Sequence, residues 1–399
     1  MKKVTKRVLP AVAGLALLGL GLAACSAGSS SESTPEATSS GPVMGPVTPG
    51  STPLAEETAE MEQLYKDAVA EGGDLIVWAG GDSPDQQDTV RRLFTERFPE
   101  INLDLRVDLS KFHDVKIDEQ LASNTLIPDV AQLQTSHDFD KWKEQGELLE
   151  FKPLGASKQF PGYADPDGAF VSLRVNSFFP QYAKEGLTAA PTSYLDFLGP
   201  EYKDQKLILP YPHDDDAVLY VYMKIVEKYG EEYLQQLADQ NPTFIRGTAA
   251  NGPLVGQQGY LATLTGYAIG PQERSIAIIP EEDPFISWVQ RTAIFEQAKH
   301  PAAAKLYLAF ITSKEYQSTF ITWPTRTDVP TPEGLKPLSE YPNSDPMDFI
   351  EWMSDRQGVA DAEVLMEKYF GPVVGESPLT DPALLEILEV EPRPGTDDY

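Results

Sequence analysis

Apolar positions change period several times over the first third of the chain. Residues 75–79 (LIVWA) form a short unbroken apolar run that ends in Gly80-Gly81-Asp82-Ser83-Pro84, which predicts a buried strand closed by a turn. Val90, Leu93, Phe94 and Phe98 then recur at helical spacing. Ser83 as N-cap, Pro84 at the first helical position and Gln86 three residues after the cap place the helix start in that turn, and Pro99 ends it. Ile101, Leu103, Leu105 and Val107 alternate with polar residues as a second strand, Ile117 and Leu121 mark another helix, and residues 129–133 (DVAQL) read as a third strand. Right-handed crossovers make such a βαβαβ unit a parallel sheet covered on both faces, and ligands gather at the carboxyl edges of its strands.

Similar strand-to-helix joints recur downstream. Residues 206–209 form a strand that leads through Tyr211-Pro212-His213-Asp214-Asp215-Asp216 into a helix over 217–229, and residues 243–245 form a strand that ends in Arg246-Gly247-Thr248. Ala303, Leu306, Tyr307, Phe310 and Ile311 fall at helical spacing and belong to the core. Residues 331–399 are acidic and Pro-rich, with helical patterns at 347–353 and 360–369, and are expected to wrap the body before fraying at 392–399.

The N-terminus differs in kind. Lys2, Lys3, Lys6 and Arg7 precede an apolar run over residues 8–22 that is short for a membrane span, which reads as a secretory signal. Leu22-Ala23-Ala24-Cys25 resembles the bacterial lipobox, which implies cleavage before Cys25 and lipidation of this single cysteine, and leaves no disulfide. Residues 26–53 are Ser, Thr, Pro and Gly with few bulky apolar groups, a composition expected to stay disordered as a tether. Loss of the four basic leader residues takes the net charge from −29 to about −33. A body so acidic repels phosphate polymers and anionic headgroups, which excludes nucleic acid as a partner and leaves the lipid as the only membrane contact.

Four stretches carry a family resemblance. Residues 191–203 (PTSYLDFLGPEYK) resemble the "P-x-S-W-x-D-L-x-x-P-x-W/Y-K" segment of bacterial extracellular solute-binding proteins of the iron(III), polyamine and phosphonate branch, with Tyr194 in place of Trp. Residues 65–72 with the strand at 75–79 resemble its opening, residues 298–315 its late "hP-x-A-A-x-L-F" helix, and residues 170–176 with Tyr182 its strand crossing between lobes. The resemblance implies a two-lobed α/β fold of the periplasmic-binding-protein type 2 kind, each lobe a mixed, mostly parallel sheet flanked by helices, with a hinge of two crossing strands. Residues 171–178 and roughly 260–278 are the hinge candidates. The expected organisation is a signal peptide over 1–24, a lipidated tether over 25–55, one lobe from 56–171 and 274–330, a second from 172–273, and a C-terminal extension over 331–399. It further implies a monomer on the outer face of the cell membrane that captures a small solute, without catalysis or a resident cofactor, and passes it to an ABC permease and its ATPase.

The strand edges supply the candidate solute contacts. Gly81 and Asp82 lie after the first strand, where backbone N–H groups at a helix start suit a carboxylate or phosphate, and Ser136 and His137 follow the third. Asp214 and Asp215, with Asp216 beside them, exceed what capping a helix requires and favour a cationic solute, although one acid serves as the N-cap. Arg174 on the hinge strand and Arg246 fit an anion fork or an ion pair; joined to an inward Asp they favour a zwitterion. The family's ferric site uses adjacent tyrosines, whereas residues 264–270 here hold Tyr267 alone, and the four histidines show no ligand spacing. Bare ferric ion is disfavoured, a chelated metal stays open, and Tyr267 can stack on an organic ligand. Acid–base chemistry by His213 and Tyr267, or sensing or adhesion without transport, are the competing readings.

Overall fold

β1 (Asp74–Gly80) is buried on both faces, with Leu75, Val77 and Ala79 in one apolar cluster and Trp78 in another, as a strand in the middle of a covered parallel sheet must be. The computed structural model describes residues 41–393 apart from Ile321, so Cys25 and the signal segment lie outside the described residues. β2 (Asn102–Asp108) and β3 (Val130–Leu133) flank β1 in parallel, and β10 (Ile286–Ile294) runs antiparallel beside β3. β4 (Val171–Ala183) pairs antiparallel with β10 over its first half; its second half leaves that partner for β7 (Ala262–Gly266) and β9 (Ser275–Ala277), with β8 (Gly270–Pro271) outermost. β5 (Ile208–Pro210) and β6 (Thr243–Ile245) form a separate parallel pair, tied to β7 by the bridge between Leu207 and Ala262.

The helices cover these strands with the apolar faces that their spacing predicts. α1 (Ala55–Glu71), α2 (Asp88–Arg97) and α8 (Pro301–Thr312) pack Tyr65, Phe94, Phe98, Tyr307 and Phe310 on one face of β1, and α9 (Lys314–Gln317) follows α8. α3 (Ser110–Ser123) and α4 (Ser136–Gln145) bring Ile117, Phe139 and Trp142 to Trp78 on the other face. On the β5–β6 side, α5 (Asp216–Tyr229) and α6 (Glu232–Ala238) pack around Tyr194, Phe197 and Tyr202. From the C-terminal stretch, α10 (Pro346–Ser354) and α11 (Arg356–Phe370) add Phe349, Met353 and Met366 to that same core. α7 (Asn251–Leu254) and α12 (Pro382–Leu388) share a smaller cluster through Leu254 and Leu384. No helix among the described residues is long and apolar enough to cross a membrane.

Three expectations change. Helix α2 begins at Asp88, after Gln87, because the Gln86 side chain turns back to accept from Asp82 N–H at 2.6 Å and holds residues 82–87 as turns. Residues 260–278 supply β7 to β9, of which β7 and β9 pair with the second half of β4, and β10 joins as the partner of its first half. Residues 41–54 are not a free arm. Gly45 N–H donates to Arg97 O at 2.7 Å, and the buried Thr48 donates its N–H to Glu315 Oε1 at 2.9 Å.

Candidate solute cleft

The carboxyl ends of β1, β2 and β3 meet the loops after β5 and β6. From the first set come Gly80, Gly81 and Asp82; Leu109, Ser110 and Lys111; and Gln134 with Thr135. From the second come Asp214, Asp215 and Asp216. Gln86, Asn176 on β4, Tyr267 just after β7, and Trp288 and Gln290 on β10 complete the lining of a cavity of about 30 Å³. Its walls touch directly. Thr248 after β6 donates both its hydroxyl and its N–H to Asp82 Oδ2, the latter at 2.9 Å; Lys111 Nζ donates to Asp214 Oδ1 at 2.9 Å; Gln134 Nε2 donates to Asp215 Oδ1 at 3.4 Å. Close approach is written into the glycines: a Cβ on Gly80 would sit 2.0 Å from Ser110 Oγ, and Gly247, at φ +69°, lies against Pro378 and Asp82.

The electrostatics are lopsided. Asp214 takes both nearby cations, accepting from Arg246 Nε at 2.8 Å and Nη2 at 3.1 Å as well as from Lys111, so although burial pushes its carboxyl up, these partners hold it below the usual range. Asp82 and Asp215 are in no ion pair among the described residues. Burial pushes Asp82 up against its bonds to Thr248, and burial followed by the charge of Asp82 pushes Asp215 up to about 7, while Val218 N–H donates to Asp215 at 2.9 Å as a helix cap. Asp216 is also raised by burial, opposed by the charge of Arg356 on α11. The lining thus holds three aspartates, of which Asp214 takes both nearby cations.

The model of the family described as bacterial extracellular solute-binding protein matches residues 126–352. This chain belongs to that family. Among solved structures it resembles iron-bound HitA from Pseudomonas aeruginosa (TM-score 0.56, 17% identity, 74% of this chain and 99% of that one). It also resembles AfuA from Actinobacillus pleuropneumoniae with exogenous fructose-6-phosphate bound (0.60, 14%, 76% and 100%) and a periplasmic thiamin binding protein (0.57, 18%, 73% and 96%). None of the curated proteins compared matches its sequence. At these identities the likeness is one of fold, the two-lobed α/β fold of the periplasmic binding proteins.

In this solute-binding protein the expected contacts divide. Gly81, Asp82, Asp214, Asp215 and Tyr267 line the cavity, and Tyr267 packs its ring against Phe178 at 4.8 Å. Arg246 stands behind Asp214. Arg174, Ser136 and His137 are not among the lining residues: Arg174 Nη2 donates to Gln290 Oε1 at 3.3 Å, Ser136 is fully buried with its carbonyl accepting from Arg291, and His137 turns towards Asp138. The N–H groups of Gly81 and Asp82 are not offered to an anion either, since they donate to Asp108 O and Gln86 Oε1. Lys111 was missed although it follows β2 at the same edge, and Asn176, Trp288 and Gln290 were missed because they sit within strands. A larger cavity of about 870 Å³, lined by Phe160, Tyr220, Phe285, Trp323 and Tyr341 among others, shares no residue with the cleft.

Proposed function

We propose that this chain is a lipid-anchored extracellular solute-binding protein that closes on a small solute bearing a positive charge and delivers it to the permease of an ABC importer. In this reading residues 56–171 and 274–330 form one lobe, 172–273 the other, β4 runs between them with residues about 260–278 as the return, and Cys25 carries the lipid that anchors a monomeric chain at the membrane. The observation that carries the charge preference is the convergence of Asp82 and Asp215, from the two walls of the cleft, without a cation in contact. A solute ammonium or other cation between them supplies what neither wall provides. Arg246 is spent on Asp214, which favours a cation over a zwitterion.

Closure follows from the same contacts. A cavity of about 30 Å³ holds little more than one or two waters, so a solute enters by parting the walls and replaces Asp82–Thr248, Lys111–Asp214 and Gln134–Asp215 with bonds to itself. The ligand then shifts the open–closed equilibrium by binding both walls at once. The thiamin-binding neighbour supports an organic cation on this fold, since thiamin carries a fixed positive charge. Iron, which HitA binds, is less favoured here because Tyr267 is the one phenol among the lining residues.

A thermal-shift panel of amines, polyamines, thiamin, amino acids, sugar phosphates and ferric citrate tests the reading. A saturable rise in melting temperature with cations, and none with sugar phosphates, is expected. A rise confined to sugar phosphates or ferric citrate would refute the charge assignment.

A further inference from the structure

Two residues beyond Thr135, which lines the cleft, the first turn of α4 turns away from the solute and meets α3. There Asp114 of α3 and His137 and Asp138 of α4 bring two carboxylate oxygens and one imidazole nitrogen within 4.8 Å of one another. Asp138 is 2% exposed. Its Oδ1 accepts from Lys141 Nζ at 2.6 Å, but its Oδ2 has no hydrogen-bond partner, and neither does the buried Nδ1 of His137. Facing carboxylates repel unless a shared proton or a cation stands between them; Asp114 and Asp138 are close enough to share a proton, but a buried acceptor such as Oδ2 and the unpartnered imidazole nitrogen remain costly. Lys141 answers only one side of Asp138, and its ammonium is shared with Asp118 at 2.7 Å. As protein alone the cluster is held by a shared proton and leaves the His137 Nδ1 and Asp138 Oδ2 atoms without partners, which a cation would supply.

We propose that Asp114, His137 and Asp138 form a divalent-cation site, separate from the solute cleft, for a hard or borderline transition-metal ion such as Mn²⁺ or Zn²⁺. Two hard carboxylates with one imidazole suit those ions better than a soft thiophilic metal, and three protein donors leave the remaining positions to water. The positions also favour a purely structural consequence: a cation here ties α3 to α4, the two helices that follow β2 and β3 and carry Lys111 and Thr135 to the cleft rim. Asp216 on the opposite wall acts on Asp114 through its charge, so a bound cation also eases repulsion between the walls.

Calorimetric titration of Zn²⁺ and Mn²⁺ into the chelator-stripped chain, purified without a polyhistidine tag, tests this directly. One equivalent is expected to bind with Kd near or below about 10 μM, and Asp114→Asn and Asp138→Asn each weaken it at least tenfold. Co²⁺ as a probe is expected to show a visible absorption band that changes in His137→Gln, which reads the imidazole itself. Asp114→Asn removes one of two repelling acids, so its fold is retained, and metal-free melting of each variant checks that. Absence of saturable binding, binding by both carboxylate variants as tight as by the native chain, or a cobalt spectrum indifferent to His137→Gln overturns the site.

Discussion

Acids that burial removes from water are partnered in opposite ways in two regions of this protein. Under the β1–β3 sheet, Glu57 and Asp328 share Arg326: its Nη1 donates to Glu57 Oε1 at 2.6 Å and to Thr312 O at 2.7 Å, and its Nε and Nη2 grip Asp328 at 2.8 and 2.9 Å. The second oxygen of Glu57 accepts from Lys314 N–H at 2.8 Å, so nothing in that network asks for a further partner. In the cleft, Asp82 and Asp215 hold only neutral donors, and the two cations within reach both go to Asp214. Charge that is matched internally holds the first region together; in the cleft, Asp82 and Asp215 stand without a cation partner among the described residues.

Breaking the matched region has the largest expected effect. Arg326→Met strands Glu57 in the core and is expected to cost about 3–5 kcal/mol in denaturant unfolding; a loss below about 1 kcal/mol would show that the two regions do not differ as described. Thr248→Val is intermediate. It removes the hydroxyl from Asp82 and leaves the backbone N–H, at a cost of about 1–2 kcal/mol to the contact between the walls, read as a lower melting temperature together with faster proteolysis of the cleft loops. An unchanged melting curve would mean that Asp82 does not depend on the opposite wall.

The unmatched region has the smaller effect and the opposite sign. Burial and then the charge of Asp82 lift Asp215 from 3.8 to about 7, so between those values the folded chain holds a proton that the unfolded chain has released. Stability therefore falls as pH rises through that window. The ligand-free melting temperature is expected to drop by a few degrees from about pH 5 to about pH 8, and Asp215→Asn to flatten the drop without loss of stability at the upper end. Parallel pH profiles for the two proteins would contradict the environment assigned to Asp215.

Much of the frame was legible in the residues because it rests on period and punctuation. The alternation of Leu103, Leu105 and Val107 and the run at 75–79 gave strands where they stand, and Asp215 caps α5 as an Asp before an apolar helix should. What failed was rotation and long-range partnership. Ser136 and His137 follow β3 as closely as Thr135 does, yet the turn of α4 carries them away from the cleft, and no local pattern fixes that angle. Trp288 and Gln290 lie in a strand buried along its whole length, whose polar members carry no mark of facing a cleft. Gln86 looked like half of a capping box and instead bonds Asp82 N–H, a choice made by the tertiary position of the loop.

In the proposed function, a cationic solute supplies the partner that Asp82 and Asp215 lack. Calorimetric affinity of the best cationic solute for the native chain and for Asp215→Asn tests it most directly. The account predicts at least a tenfold weaker Kd in the variant, equivalent to about 1.4 kcal/mol or more, with the ligand-free fold intact. Equal or tighter binding by Asp215→Asn would contradict it.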